Sequence, residues 1–175
     1  MPGVDDHQRS PGTTVDAGHF RQVLGHFCTG VTVIAASHDG EPVGFTAQSF
    51  TSVSLQPPLV TVCPARDSST WPQIRAGGTF CASVLAEDQE AVGRRFAMPG
   101  LGSERFVGVG WRPSPATGSP VLDGAVAWVD CRLQAEHEAG DHVIAVAEVV
   151  GLGVGDAGPH PPLLFYRGGY GRFAV

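Results

Sequence analysis

The segment 44–58 constrains the fold more than any other part of the chain, because small hydroxyl side chains alternate there with apolar ones. A two-residue period is that of an extended strand. Pro57 and Pro58 end the segment, and a second apolar strand, 59–63, follows at once. A buried strand would carry Val and Ile, and a solvated one Lys or Glu. The donors and acceptors along this strand belong to Thr46, Gln48, Ser49, Ser52 and Ser54.

Two interpretations of this polar strand stay open on physical grounds. Small side chains let a flat aromatic ligand lie close to the backbone, whose amides can bond to the ligand's polar edge. A Ser/Thr-rich edge strand followed by a turn would show the same pattern.

The rest of the sequence predicts a mainly β chain. Helical spacing of apolar residues predicts a first helix over 17–28, and further helices are expected over 71–76 and 86–98. Between 100 and 124 the chain is rich in Gly, Pro and Ser, with Phe106 and Trp111 as expected anchors. Further strands are predicted over 31–36, 80–85, 125–138, 142–154 and 163–173. Because strands dominate, we expect an antiparallel barrel with a few short helices and not a doubly wound α/β sheet.

Length and charge limit the classes of function. A chain of 175 residues suits one domain, expected over 18–175, with a flexible N-terminal tail over 1–17. The net charge of -6 and scattered basic residues argue against nucleic acid as a partner. Neither a secretory signal nor a membrane-spanning stretch occurs in the sequence. The protein is therefore expected in the cytoplasm, with no membrane partner.

Metal and nucleotide motifs are weak. The four cysteines lack a paired spacing, so buried reduced thiols are expected and no metal site is predicted. His137 and His142 stand on the two sides of a predicted hairpin turn, at a spacing that does not suit a zinc helix. The glycines of 153–158 match a dinucleotide pattern, but the prolines that follow prevent the helix which that pattern requires.

Several segments together resemble the flavin reductase family with the FMN-binding split-barrel fold, the small components that supply reduced flavin to two-component monooxygenases. The resemblance extends over about residues 20–170. Many family members have Asn where this chain has Gln48, and both amides offer the same donor and acceptor. The matching segments are 29–34, 44–50, 52–60, 80–85, 86–89, 95–97, 140–142 and 164–170.

The resemblance implies an antiparallel, Greek-key split barrel, usually a homodimer, that binds FMN or FAD and NADH or NADPH. Ser69 and Thr70 would meet the flavin phosphate, although simple helix capping also explains them. His142 would lie near the nicotinamide as the catalytic residue, orienting it without being an obligatory proton donor. The flavin ring would lie against Thr46, Ala47, Gln48, Ser49, Ser52, Val53, Ser54 and Cys63, and the cofactor entrance would include Tyr166, Arg167, Gly168 and Tyr170.

The implied function is hydride transfer from reduced nicotinamide to flavin, with delivery of reduced flavin to a partner monooxygenase. One alternative is a different enzyme on the same fold, such as a pyridoxamine-phosphate oxidase or a deazaflavin-dependent reductase. Another is a flavin-binding protein that keeps its cofactor, for example as a sensor. A third is a β-barrel interaction module with no ligand. The choice between FMN and FAD, and between NADH and NADPH, stays open.

Overall fold

The computed structural model describes residues 15–100, 102–155 and 160–173. Most of the predicted tail, 1–17, and the second half of the glycine pattern at 153–158 lie outside the described residues. Three α-helices are present: α1 (Ala17–Leu24), α2 (Trp71–Gly77) and α3 (Glu90–Ala97), with a 3-10 helix at Gly102–Phe106. The first six strands are β1 (Thr29–Gly30), β2 (Thr32–His38), β3 (Glu41–Ala47), β4 (Thr51–Leu55), β5 (Pro58–Val62) and β6 (Thr79–Val84). The remaining strands are β7 (Trp111–Pro113), β8 (Pro120–Leu122), β9 (Ala127–Ala139), β10 (His142–Val154), β11 (Leu163–Tyr166) and β12 (Gly169–Arg172).

The main sheet curls so strongly that its two edge strands come within reach of a three-residue link. Its seven antiparallel strands follow the order β3-β2-β6-β9-β10-β5-β4. In a flat sheet the edge strands β3 and β4 would stand about 29 Å apart. Yet only residues 48–50 separate them along the chain, and such a link spans at most about 14 Å. The predicted mainly β, antiparallel split barrel with a few short helices is confirmed.

Strand β2 is buried on both faces and separates two cores. Ile34 faces one cluster together with Trp71 and Phe80, whereas Val33 faces a second cluster together with Phe96. This double burial explains why 31–36 is apolar in the sequence except at Thr32, whose Oγ1 donates to Ala47 O at 2.9 Å. The small sheet β1-β11-β12 lies beside the second cluster, which contains Leu163 of β11 and Tyr170 of β12.

The first helix differs from its prediction. It begins after Asp16, whose Oδ1 accepts a hydrogen bond from His19 N at 2.8 Å, and it ends at Leu24, not at residue 28. None of its residues is buried, and Phe20, Val23 and Leu24 are 55%, 51% and 52% exposed. The apolar face that predicted the helix therefore has no partner within the described part of one chain. No helix among the described residues is long and apolar enough to span a membrane.

Three smaller expectations need correction. The polar strand is broken into β3 and β4 because the chain passes from one sheet edge to the other. Phe106 is a buried anchor, but Trp111 is 38% exposed. Cys81 and Cys131 are buried as predicted, whereas Cys28 is exposed and Cys63 is half-buried, since Cys28 follows the unpacked first helix and Cys63 follows an edge-proximal strand.

Candidate active site

A cavity of about 1100 Å³ lies where the barrel edges meet. Its walls come from the end of β3, the loop between β5 and α2, the end of α3 and the start of β10, with α1 beside the opening. Nine of the predicted site residues line it: Thr46, Ala47, Gln48, Ser49, Cys63, Ser69, Thr70, His142 and Tyr170. Residues far apart in sequence are therefore collected around one space large enough for a cofactor.

The β3 wall uses most of its hydroxyl groups to hold its own shape. Thr46 Oγ1 donates to Gly93 O at 2.7 Å, which ties β3 to α3. Ser49 Oγ accepts from Cys63 N at 2.9 Å and so fastens the crossing segment to the end of β5. The exposed Gln48 side chain, whose Oε1 accepts from Thr29 Oγ1 at 3.4 Å, keeps its amide donors for a ligand.

The first turn of α2 is capped by a residue that the sequence interpretation did not name. Ser68 Oγ accepts from Thr70 N at 3.3 Å and from Trp71 N at 3.1 Å. The backbone amides of Thr70 and Trp71 at this helix start are therefore already bonded. Thr70 itself makes no side-chain capping bond, so capping does not explain its presence. Ser69 is exposed at the cavity wall.

Arg105 is the important residue that sequence reasoning missed. It lines the cavity while only 4% of it is exposed. Its Nη1 donates to Gly44 O at 2.9 Å and to Thr70 Oγ1 at 3.0 Å, and its Nη2 donates to Met98 O at 2.6 Å. A lone Arg in a Gly-rich loop carries little signal. Its position directly before the anchor Phe106 was the one available clue.

His142, the first residue of β10, also lines the cavity. Its Nδ1 lies 2.8 Å from Asp141 Oδ1, and its side chain is 45% exposed. The hydrogen bond and the charge of His142 lower the pKa of the Asp141 carboxyl. The hairpin turn is held by the backbone: Arg66 N donates to Asp141 O at 2.9 Å and Val143 N donates to Pro64 O at 3.0 Å. The loop that leads to the α2 turn thus also positions His142.

Six predicted site residues do not line this cavity. Ser52, Val53 and Ser54 lie on the edge strand β4, where Ser54 Oγ accepts from Gln56 N at 3.2 Å in the following turn. The other three, Tyr166, Arg167 and Gly168, form the exposed turn between β11 and β12. Their assignment to the flavin stays a prediction.

The β11–β12 hairpin does reach the cavity, through different residues. Phe165 and Tyr170 line it and pack edge to face, with ring centroids 5.1 Å apart. Burial raises the pKa of the Tyr170 hydroxyl. The hairpin also holds α1 beside the opening, because Arg167 N donates to Gly25 O at 2.8 Å. Phe20 and Leu24 of α1 consequently form an apolar margin.

These features fit a flavin better than a metal ion. Among the described residues no group of three or more His, Cys, Asp or Glu side chains could hold a metal. The small side chains of Ala47 and Ser49 leave room for a planar ring, Gln48 offers amide donors at its edge, and a buried cation lies beside Thr70. Apolar walls with few polar groups are typical of cofactor sites. Fold and site thus define a split-barrel protein built to hold a flavin-like nucleotide.

Comparison with known proteins gives the family. The model of the flavin reductase like domain matches residues 24–174. The reductase subunit HsaB of a flavin-dependent monooxygenase from Mycobacterium tuberculosis is 46% identical over 156 residues, which is 89% of this chain and 82% of that protein. The chain belongs to the flavin reductase family.

Two solved structures share its fold and much of its sequence. Component B of nitrilotriacetate monooxygenase from Mycobacterium thermoresistibile superposes with a TM-score of 0.86 at 45% identity, covering 91% of this chain and 88% of that one. The NADH:FAD oxidoreductase SgcE6 from Streptomyces globisporus, solved with NAD and FAD fragments, gives a TM-score of 0.84 at 39% identity, covering 91% and 93%.

Proposed function

We propose that the protein transfers hydride from NADH to FMN or FAD and supplies the reduced flavin to a partner flavin-dependent monooxygenase. The observation that carries this proposal is the cavity at the barrel edge, which is lined by both a buried cation, Arg105, and an exposed histidine, His142. Membership of the flavin reductase family supports it, as do the NADH and FAD named for the similar Streptomyces protein.

The residues of the chain bind and orient the two nucleotides. When bound, the flavin ring accepts a hydride from the nicotinamide, so the protein itself supplies no strong acid or base. Gln48 offers donors to the polar edge of the ring, and Ala47 keeps the wall low enough for the ring to approach the backbone. His142 orients the nicotinamide at the opening, while Phe20 and Leu24 exclude water from its apolar side.

The direct test follows the near-ultraviolet absorbance of NADH, under air, with purified protein and added FMN or FAD. We expect rapid loss of NADH that requires added flavin, and the flavin with the higher kcat/KM is the substrate. NADPH in place of NADH tests the choice of nicotinamide nucleotide. The absence of turnover with either flavin and either nicotinamide would overturn the proposal.

A second candidate is a protein that binds flavin and retains it. The buried contact between Arg105 and Thr70 favours this candidate, because a desolvated anion site releases its ligand slowly. Gel filtration after loading with flavin separates the two. A reductase that uses flavin as a substrate emerges colourless, whereas a flavin-retaining protein emerges yellow.

We also propose a homodimer, formed over the unpaired face of α1. Phe20 and Val23 are more than half exposed there, and a second copy of the chain would cover them. Light scattering after gel filtration should give twice the monomer mass for the wild type and the monomer mass for F20S/V23S. Leu152, 68% exposed on β10, provides the matched control: L152S should remain dimeric, and a monomeric wild type would contradict the proposal.

Two further assignments complete the proposal. Residues 18–175 act as one flavin-binding domain, in agreement with the extent of the family match. We place the protein in the cytoplasm, because its four cysteines are unpaired, as is usual in a reducing compartment.

A further inference from the structure

The charge of Arg105 lacks an obvious partner. Arg75 and Arg94 are paired with glutamates, but no carboxylate of a described residue pairs with Arg105. Its described partners are the carbonyl oxygens of Gly44 and Met98 and the hydroxyl of Thr70. A guanidinium stays protonated at neutral pH and is costly to bury without an anion. Arg105 is also the sole Arg or Lys among the described residues that line the cavity.

The bond between Arg105 and Thr70 fixes the direction in which the threonine can donate. Nη1 of Arg105 donates to Thr70 Oγ1 at 3.0 Å, so the hydroxyl oxygen acts as an acceptor there. A hydroxyl group has one hydrogen of its own to donate, and no described residue accepts the hydrogen of Thr70. Because Thr70 lines the cavity, an anion in the cavity can accept it.

The backbone amides at the start of α2 would be another source of positive potential, but they are not free. The amides of Thr70 and Trp71 already bond to Ser68 Oγ, so they are not available to an anion. The residue at position 72 is a proline, which has no amide hydrogen. At this part of the cavity the donors that remain are the guanidinium of Arg105 and the hydroxyl groups of Ser68, Ser69 and Thr70.

We propose that Arg105 is a positioning residue for the phosphate group of the flavin nucleotide, which it serves by orienting the Thr70 hydroxyl and by placing a positive charge behind it. The proposal rests on the proposed function, since it assumes that a flavin occupies the cavity. It adds a determinant of ligand choice: the site should discriminate FMN from riboflavin, which has the same ring and no phosphate.

Quenching of flavin fluorescence, measured without NADH, tests the proposal as a binding equilibrium. Wild-type protein should bind FMN at least about tenfold more tightly than riboflavin. R105Q should weaken FMN binding about 10- to 100-fold, the range expected for lost hydrogen bonds to a charged group. Riboflavin binding should change less than about twofold, because riboflavin has no phosphate group for Arg105 to act on.

A merely structural role for Arg105 gives a different result. If Arg105 only joined β3, α2 and α3, R105Q would weaken FMN and riboflavin equally, and the proposal would be overturned. T70V, which removes the hydroxyl and keeps the charge, should also weaken FMN alone, and T70S should restore its binding. If R105Q does not fold, the T70V and T70S pair decides: equal weakening of both ligands by T70V overturns the proposal.

The outcomes also separate this inference from the proposed function. A wild-type protein that binds neither FMN nor riboflavin contradicts both. A wild-type protein that binds both flavins equally tightly overturns the role of Arg105 and leaves the flavin reductase function intact.

Discussion

The two ends of the cavity are built in opposite ways. At the closed end, Arg105 and Thr70 are each 4% exposed and are bonded to one another and to the backbone of β3. At the open end, the His142 side chain is 45% exposed and that of Asp141 is 95% exposed. The closed end is preorganised to meet one charged group, whereas the open end is accessible to solvent and to a second ligand.

This difference matches the two nucleotides that a flavin reductase binds. A flavin phosphate gains from a desolvated, prebuilt charge, because electrostatic interactions strengthen as water is excluded. The nicotinamide nucleotide, which we expect at the open end, would meet exposed and less preorganised contacts. Changes at the closed end should therefore alter flavin affinity and stability, and changes at the open end should alter the use of NADH.

The largest effect is expected at Gly44, in the wall that supports Arg105. A Cβ at this position would lie 2.8 Å from Ile34 O and 3.3 Å from the rings of Phe96 and Phe106. G44A should lower the free energy of unfolding by about 1–3 kcal/mol, as overpacked cores do, and weaken FMN binding. Urea denaturation measures the first effect. The matched control is G30A, since a Cβ on Gly30 would meet nothing within 4 Å, and equal destabilisation by both would contradict the account.

At the open end, H142A should raise the KM for NADH about tenfold and leave flavin affinity unchanged, because one hydrogen-bonding contact to the nicotinamide side is lost. Turnover should fall by less than about tenfold, since His142 orients the ring and donates no required proton. Steady-state kinetics and flavin titration measure these quantities. If turnover disappeared while both affinities were kept, His142 would have a direct chemical role.

The thiol of Cys63 can report whether flavin fills the space between the two ends. Cys63 lines the cavity and Cys28 does not, although both are at least partly accessible. At a flavin concentration of about ten times Kd, alkylation of Cys63 should slow about elevenfold, because only the empty protein reacts. Mass spectrometry follows both sites in one sample, so Cys28 is the internal control. Equal rates at Cys63 with and without FMN would place the flavin elsewhere.

The buried thiol of Cys81, on the core strand β6, gives a prediction for how stability depends on pH. Burial, with the nearby Asp130 charge, raises the pKa of Cys81 from 9.0 to about 12. The thiol therefore loses its proton at lower pH in the unfolded chain than in the folded protein. Its contribution to the free energy of unfolding is complete below pH 9 and decreases as the pH rises above that value. Raising the pH from about 8 to about 10 should lower the free energy of unfolding by about 1.4 kcal/mol through this thiol. Urea denaturation of C81A should show a correspondingly smaller loss, and an unchanged loss would contradict the assignment.

The smallest effect is expected for D141N. The Asp141 carboxyl is exposed, and its bond with His142 lowers its pKa, so it stays ionised at all pH values above its ordinary pKa and loses the contact only in stronger acid. Because exposed ion pairs contribute little, the KM for NADH should rise less than about fivefold near neutral pH. Added salt should mask the difference between D141N and the wild type. An effect as large as that of H142A would show that the pair acts as one unit.

Much of the fold could be predicted from the sequence because local patterns determine it. The alternation in 44–58 specifies extended structure, which was found, and the long strands predicted over 125–138 and 142–154 were found close to their predicted limits. The break between β3 and β4 was missed, since it depends on sheet curvature and not on any residue between them. The failure at α1 has a related cause: Phe20 and Val23 gave the right periodicity, but no residue in the described part of the chain buries them.

The site could be predicted in part. Thr46, Gln48, Thr70 and His142 carry polar groups in short, distinctive segments, and the structure brings them to one cavity. Arg105 could not be identified, because its role depends on a fold that brings the 3-10 helix under β3 and α2. A single arginine in a loop has the same appearance in sequence whether it is solvated or buried.

The most direct test of the account is a crystal structure of the protein with FMN. We expect the flavin in the cavity at the barrel edge, its phosphate within hydrogen-bond distance of Thr70 Oγ1, and its ring between Ala47 and the opening near His142. A flavin bound outside this cavity, or one whose phosphate points toward His142 and away from Arg105, would contradict the account.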